Sequence, residues 1–304
     1  MILSIVSPVY RAEHIVEKLV NEIIKEINKL EISYEIILVD DRSPDKSWKK
    51  MIDLSKKYQN VKCIRLSRNF GQHPAIMAGL SQANGEWIVV MDCDLQDQPK
   101  EISKLYNKVL EGFDIVLARR AIRKDGFFKS LSSKVFSKVY SFFTETKYDN
   151  EIANFGIYNK KVITAILNIS DYIKFFPLFA YFVGFNSTSI EVEHASRDSG
   201  KTSYSFSKLL SLAFNTIISF SNKPLKLFVK FGLIISVLSV FVGIYYIIES
   251  LNHEIEVLGF TSIIVSIWFL SGVIITTIGI TGIYIGKIFD QTKNRPVYII
   301  DEII

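Results

Sequence analysis

The chain has 304 residues, a formal net charge of +5, 49% hydrophobic residues and a mean hydropathy of +0.24. That length allows one or two domains, and its two cysteines cannot build a disulfide framework. So small a net charge argues against nucleic acid as a partner, and four histidines without ligand spacing argue against a His/Cys metal centre.

The N-terminus MILSIVSPVY has no basic leader and meets Pro8 early, so it is not expected to be a signal peptide. LSIVSPV reads as a short apolar strand. Ile15, Val16, Leu19, Val20, Ile23, Ile24, Ile27 and Leu30 then recur at helical spacing. EIILVDD reads as a strand, Pro44 to Tyr58 as a helix, and VKCIRL as a strand. A helix over Pro74 to Ala83 ends at Asn84-Gly85. WIVVMD is a strand, Pro99 to Leu110 a helix, and DIVLA a strand. This alternation predicts an α/β domain with a mostly parallel sheet covered on both faces. Cys63 and Cys93 are expected to be buried free thiols in a reducing compartment.

In such sheets ligands bind beyond the carboxyl ends of the strands. Pro8, Tyr10 and Glu13 follow the first strand, Asp40 and Asp41 end the second, Asp92 and Asp94 follow the fourth, and Arg119 and Arg120 follow the fifth. The acidic groups therefore converge on one edge. A carboxylate pair of this kind can cap the next helix, but two pairs on one edge favour a hard divalent cation, Mg²⁺ or Mn²⁺. No G-x-G-x-x-G follows the first strand and no G-x-x-x-x-G-K-[ST] occurs, so neither a dinucleotide fingerprint nor a P-loop is present.

The apolar excess lies towards the C-terminus. Phe231 to Ile248 and Val257 to Gly286 carry no charge, and each is long enough to be read as a membrane span. No Lys or Arg lies between Lys230 and Lys287, whereas Lys223, Lys226 and Lys230 flank one side and Lys287, Lys293 and Arg295 the other. The positive-inside rule places both flanks in the cytoplasm. The predicted organisation is a cytoplasmic domain over 1–203, a juxtamembrane segment over 204–229, a two-helix hairpin over 230–288 and a cytoplasmic tail over 289–304. Phe206 to Phe220 is mostly apolar with one polar flank and suits the membrane interface. Gly272, Gly279, Gly282 and Gly286 permit close helix packing and hence a homo-oligomer.

SIVSPVYRAEHIV, EIILVDDRSPDKS, LSRNFGQHPAIMAGLSQANGEWIVVMDCDLQDQP and RDSGKTSYSFSKLLSLAFNTIISFSNKPL resemble, in order, segments of family 2 glycosyltransferases. The branch they resemble is that of dolichyl-phosphate mannose synthases and bactoprenol glucosyltransferases, and the likeness runs from residue 1 to about 300. It implies a GT-A fold, a nucleotide-sugar donor (expected to be a UDP-hexose) and a polyprenyl phosphate acceptor, undecaprenyl phosphate in bacteria. The implied reaction is an inverting transfer at the inner membrane, supplying cell-surface glycans such as O-antigen. By the same matching, Asp92, Asp94 and Gln96 would hold the metal, and Pro8, Tyr10, Glu13, Asp40 and Asp41 would line the nucleoside site. Arg120 and Arg123 match arginines expected near the departing diphosphate. Arg197, Lys201, Ser203 and Lys129 would meet the acceptor phosphate. That phosphate is already largely dianionic at neutral pH and needs positioning rather than a base.

Two departures stand out. Asn154 and Gly156 occupy places where many members carry an acid and an arginine, so no catalytic carboxylate transfers there, and Arg42 replaces the glycine of a VDDGS-like turn. Three other readings have less support. A processive polysaccharide synthase would carry Q-x-x-R-W, and no Arg-Trp pair exists. A non-catalytic nucleotide-sugar or lipid binder would not need Asp92, Asp94 and Gln96. A glycolipid flippase is poorly served by two helices without an ionisable residue inside the membrane.

Overall fold

A computed structural model of the chain describes residues 2–120, 142–143, 152–171, 174–193, 221, 223–251 and 259–304. Arg123, Lys129, Arg197, Lys201, Ser203 and the juxtamembrane segment 206–220 lie outside the described residues, and so does the side chain of Arg120. The chain divides into two compact units. One comprises Met1–Val139, Thr146–Ser203 and Arg295–Ile304, the other Tyr140–Glu145 and Tyr204–Asn294.

The first unit is built on an eight-stranded sheet. Its strands are β1 (Ile2–Val9), β2 (Ser33–Asp40), β3 (Val61–Leu66), β4 (Trp87–Val90), β5 (Ile115–Arg120), β6 (Ile152–Asn159), β7 (Ser187–Val192) and β8 (Ile300–Ile303). Their order is β7-β5-β6-β4-β1-β2-β3-β8. β1 is buried from Leu3 to Val9 and pairs in parallel with both β2 and β4. A strand covered on both faces needs a continuous apolar run, and LSIVSPV supplies one.

The chain runs outward from β1 through β2 to β3, then returns to place β4 on the other side of β1. The order reverses at β1, the place where open α/β sheets form their ligand-binding crevice, beyond the carboxyl ends of β1 and β4. Val9 and Asp92 stand at that edge.

Helices cover both faces. α1 (Val16–Ile27), α2 (Ser47–Lys57) and α4 (Ile102–Val109) pack together on one side. α1 buries Val16, Leu19, Val20, Ile23 and Ile27, one face at helical spacing. α3 (Gln72–Leu80), α5 (Lys160–Leu167) and α6 (Phe176–Phe182) pack on the other.

Two predicted boundaries shift for physical reasons. α2 begins at Ser47 rather than Pro44, because the Asp45 carboxylate accepts both the Ser47 backbone N–H (3.1 Å) and its hydroxyl (2.6 Å). α3 begins at Gln72 rather than Pro74, since a proline in the first helical turn lacks only an N–H that has no intrahelical partner there.

The sheet is not wholly parallel. β6 runs antiparallel to β4 and β5, and β8 runs antiparallel to β3. The end of the chain, read as a tail, contributes that last strand. Cys63 and Ile304 exchange two backbone hydrogen bonds, at 2.8 and 2.9 Å, so β8 covers the edge that β3 would otherwise present.

The second unit contains α7 (Lys223–Leu251) and α8 (Phe260–Thr292), which touch each other. Leu233, Phe241, Ile275 and Ile278 are among the large apolar side chains exposed on them. Among the described residues, one stretch, Phe269–Thr292, is long and apolar enough to cross a membrane. The expected first span, Phe231 to Ile248, lies within α7, which does not meet that test over its described residues.

Candidate active site

The loops after β1 and β2 are tied to each other. The Arg11 N–H donates to Ser43 Oγ (3.2 Å), Ala12 N–H to Ser47 Oγ (2.9 Å) and Glu13 N–H to Asp45 Oδ2 (3.3 Å). Glu13 Oε2 accepts from the Lys46 N–H at 2.9 Å. Tyr10 projects from this rim, 43% exposed, while Pro8 is buried at the end of β1.

Asp40 is fully buried. Its Oδ1 accepts the Ser43 N–H (3.0 Å), and its Oδ2 lies 3.4 Å from Arg65 Nε. Burial pushes its carboxyl above the ordinary range, with Ser43 and Arg65 opposing. Asp41 is buried too, and both of its oxygens are engaged by backbone: Oδ1 accepts from Phe70 N–H at 2.7 Å and Oδ2 from Gly71 N–H at 2.9 Å. Burial raises this carboxyl as well, against those two donors. The neighbouring Arg42 adopts φ +56°, the left-handed conformation that explains a glycine at this place in related turns. Its guanidinium donates to Asp301 Oδ2 at 2.7 Å.

Across the crevice, β4 delivers Asp92, Cys93 and Asp94. Leu95, at φ +58°, turns the chain so that the Gln96 N–H donates to Asp94 Oδ1 at 3.1 Å, and Asp97 is buried. Burial, then the charges of Asp97 and Asp94, push Asp92 up to about 6, against hydrogen bonds from the Gln72 and Asn154 side chains. Gln72 Nε2 lies 2.6 Å from Asp92 Oδ1. Cys93 is no thiolate ligand: burial, with the charges of Asp92 and Asp94, pushes its thiol up to about 12 despite a backbone hydrogen bond from Tyr10.

Asn154 reaches Asp92 because of the antiparallel strand. Val90 pairs with Gly156, and continuing that register by two places sets Asn154 level with Asp92. Neither Gln72 nor the Asn154 contact was expected from the sequence. The signal for Gln72 was its place at a helix start after a glycine turn, in RNFGQH.

Among the described residues no three His, Cys, Asp or Glu side chains gather as a metal cluster. The donor set of Asp92, Asp94 and Gln96 nevertheless fits a Mg²⁺- or Mn²⁺-type ion. Such ions bind through one or two carboxylates and complete their shell with water and phosphate oxygens. An unneutralised carboxylate held as high as Asp92 also favours a cation beside it.

The glycosyl transferase family 2 model matches residues 4–167, the segment that holds Asp40, Asp41, Asp92, Asp94 and Asn154. A glycosyltransferase of Synechocystis described as uncharacterised, sll0501, is 36% identical over 303 residues, 99% of this chain and 95% of that protein. The undecaprenyl-phosphate 4-deoxy-4-formamido-L-arabinose transferase of Proteus mirabilis is 33% identical, over 99% of this chain and 93% of that protein. Among solved structures, glucosyl-3-phosphoglycerate synthase from Mycobacterium tuberculosis, in complex with Mn²⁺, UDP and phosphoglyceric acid, superposes with a TM-score of 0.52 at 14% identity. That match covers 71% of this chain and 76% of the other and supports a GT-A-like α/β fold. On the family match and the near full-length relatives, the chain belongs to glycosyl transferase family 2.

Proposed function

We propose that the protein transfers a sugar, with inversion, from a nucleotide-diphosphate sugar to a polyprenyl phosphate, undecaprenyl phosphate in a bacterial membrane. The observation that carries this reading is the 33% identity to an undecaprenyl-phosphate sugar transferase over nearly the whole of both chains, C-terminal apolar helices included.

Tyr10 and Glu13 at the rim of the crevice, together with the buried Pro8 and Asp40, are assigned to the nucleoside. Asp92, Asp94 and Gln96 would hold Mg²⁺ or Mn²⁺. When bound, that ion supplies positive charge to the diphosphate as it departs. Arg120 and Arg123 add cationic donors for the same charge. Arg197, Lys201, Ser203 and Lys129 are assigned to the acceptor phosphate, where charge-assisted hydrogen bonds position a nucleophile that is already ionised. Displacement from the face opposite the leaving group inverts the anomeric centre.

α7 and α8 form the membrane hairpin, with the sheet domain and both flanks of the hairpin on the cytoplasmic side. The absence of Lys and Arg between Lys230 and Lys287 supports that orientation.

The test compares undecaprenyl phosphate with undecaprenol as acceptor in membranes holding the full chain, across a panel of nucleotide sugars. Label transferred only to the phosphate, with inverted configuration by NMR, supports the reading. Transfer to undecaprenol, or a growing polysaccharide, would refute it.

A further inference from the structure

Asp41 spends its hydrogen-bonding capacity on one loop. Its carbonyl oxygen accepts from Asn69 Nδ2 (3.2 Å), its Oδ1 from Phe70 N–H (2.7 Å) and its Oδ2 from Gly71 N–H (2.9 Å). Its own N–H donates to Val9 O at 3.0 Å, which fastens the loop to the end of β1. A buried carboxylate satisfied by backbone in this way is an anchor.

The anchored loop ends at Gly71, with φ +101° and ψ 165°. A Cβ there would meet nothing nearer than Pro74 Cδ at 4.0 Å, so the backbone conformation, not space, calls for glycine. The next residue is Gln72, the first of α3. Its exposed side chain reaches across the crevice and donates to Asp92 Oδ1 at 2.6 Å. A neutral amide suits that place. It fixes the carboxylate's orientation without cancelling its charge, as outer hydrogen-bond partners of metal-binding carboxylates do. A Lys or Arg at the same position would compete with a cation.

We infer that Asp41 acts through this loop rather than on the nucleoside: it is a positioning residue that, through Gly71 and Gln72, holds the Asp92 carboxylate in the orientation that receives the cation. The inference rests on the cation reading of Asp92 and Asp94. It also gives the RNFGQH segment a role in the reaction.

The test titrates Mn²⁺ alone into the full-length, detergent-solubilised protein and follows free Mn²⁺ by electron paramagnetic resonance. Thermal unfolding without metal is recorded for each variant. Asp41→Asn and Gln72→Ala should each weaken Mn²⁺ binding roughly 10–100-fold, the usual cost of losing an outer partner. The double variant should bind no more weakly than the weaker single one. Gln72→Ala, at an exposed side chain, should do this with unchanged unfolding. Additive losses would show that Asp41 and Gln72 act independently and would overturn the inference. Unchanged Mn²⁺ affinity in Gln72→Ala would overturn it as well, whether or not Asp41→Asn folds. A wild-type protein that takes up no Mn²⁺ would instead remove the cation reading, and the inference with it.

Discussion

Arg42 and Asp301, 259 positions apart, form an ion pair at 2.7 Å between the turn after β2 and the strand that ends the chain. Both side chains are over 40% exposed, so the pair itself contributes little, about 0–1 kcal/mol. The strand that carries Asp301 matters more, because its backbone bonds close the edge at β3. Asp301→Ala should leave the melting temperature nearly unchanged. Removing residues 299–304 should lower it clearly and promote aggregation through the bared edge. Light scattering and thermal unfolding in detergent check both.

Asp92 costs the folded protein stability while no cation is bound. Its folded pKa of about 6 stands above the ordinary 3.8, so the stability associated with its protonated form is complete below 3.8 and is lost as pH rises through about 6. Asp92→Asn should therefore raise the stability at pH 7.5 without metal, by on the order of 1–3 kcal/mol. Added Mn²⁺ should reverse the ranking, since binding stabilises the wild type only. Equal stabilisation of both proteins by Mn²⁺ would contradict the assignment.

His73 works in the opposite sense. Burial pushes its imidazole down to about 4 from 6.5, its Nδ1 has no hydrogen-bond partner among the described residues, and its ring meets Phe175 edge-on at 4.6 Å. The stability it contributes when neutral is fully present above 6.5 and is lost as pH falls through about 4. His73→Phe should flatten the acid limb of the unfolding profile across that window. An unchanged limb would count against a neutral, half-buried His73.

Gly79 packs α3 closely on the sheet. A methyl group there would collide with Val6 Cγ1 and stand 3.0 Å from Val39 Cγ2. Alanine's better helix propensity, worth about 1 kcal/mol, should lose to an overpacking cost of about 1–3 kcal/mol. Gly79→Ala should destabilise, and Val6→Ala in the same chain should restore part of the loss. Chemical denaturation of the single and double variants checks this.

Much of the first unit was legible in the sequence, because a strand buried on both faces must be apolar throughout and an amphipathic helix must show its stripe. β1 and β4 follow the first rule and α1, α2 and α4 the second, whereas α3 is buried continuously from Ala75 to Leu80 and shows no stripe. β8 was not legible, because VYIIDEII shows strand character but nothing in it names β3 as a partner more than 200 positions earlier. The acidic residues at the strand ends were legible as a group. Their separate roles were not, since Asp41 and Asp92 differ only in which neighbours the fold brings to them. Asn154 could be flagged as a departure from the family pattern, but its contact with Asp92 depends on the antiparallel register of β6.

The central claim is tested most directly by adding labelled nucleotide sugars, undecaprenyl phosphate and Mn²⁺ to membranes holding either the wild-type chain or Asp94→Asn, and counting label in the organic phase. The account predicts label in the lipid with the wild type and a fall of at least roughly 100-fold with Asp94→Asn, the scale of losing an electrostatic stabiliser of the leaving group. Wild-type transfer by Asp94→Asn, or no lipid-linked product from any donor, would contradict it.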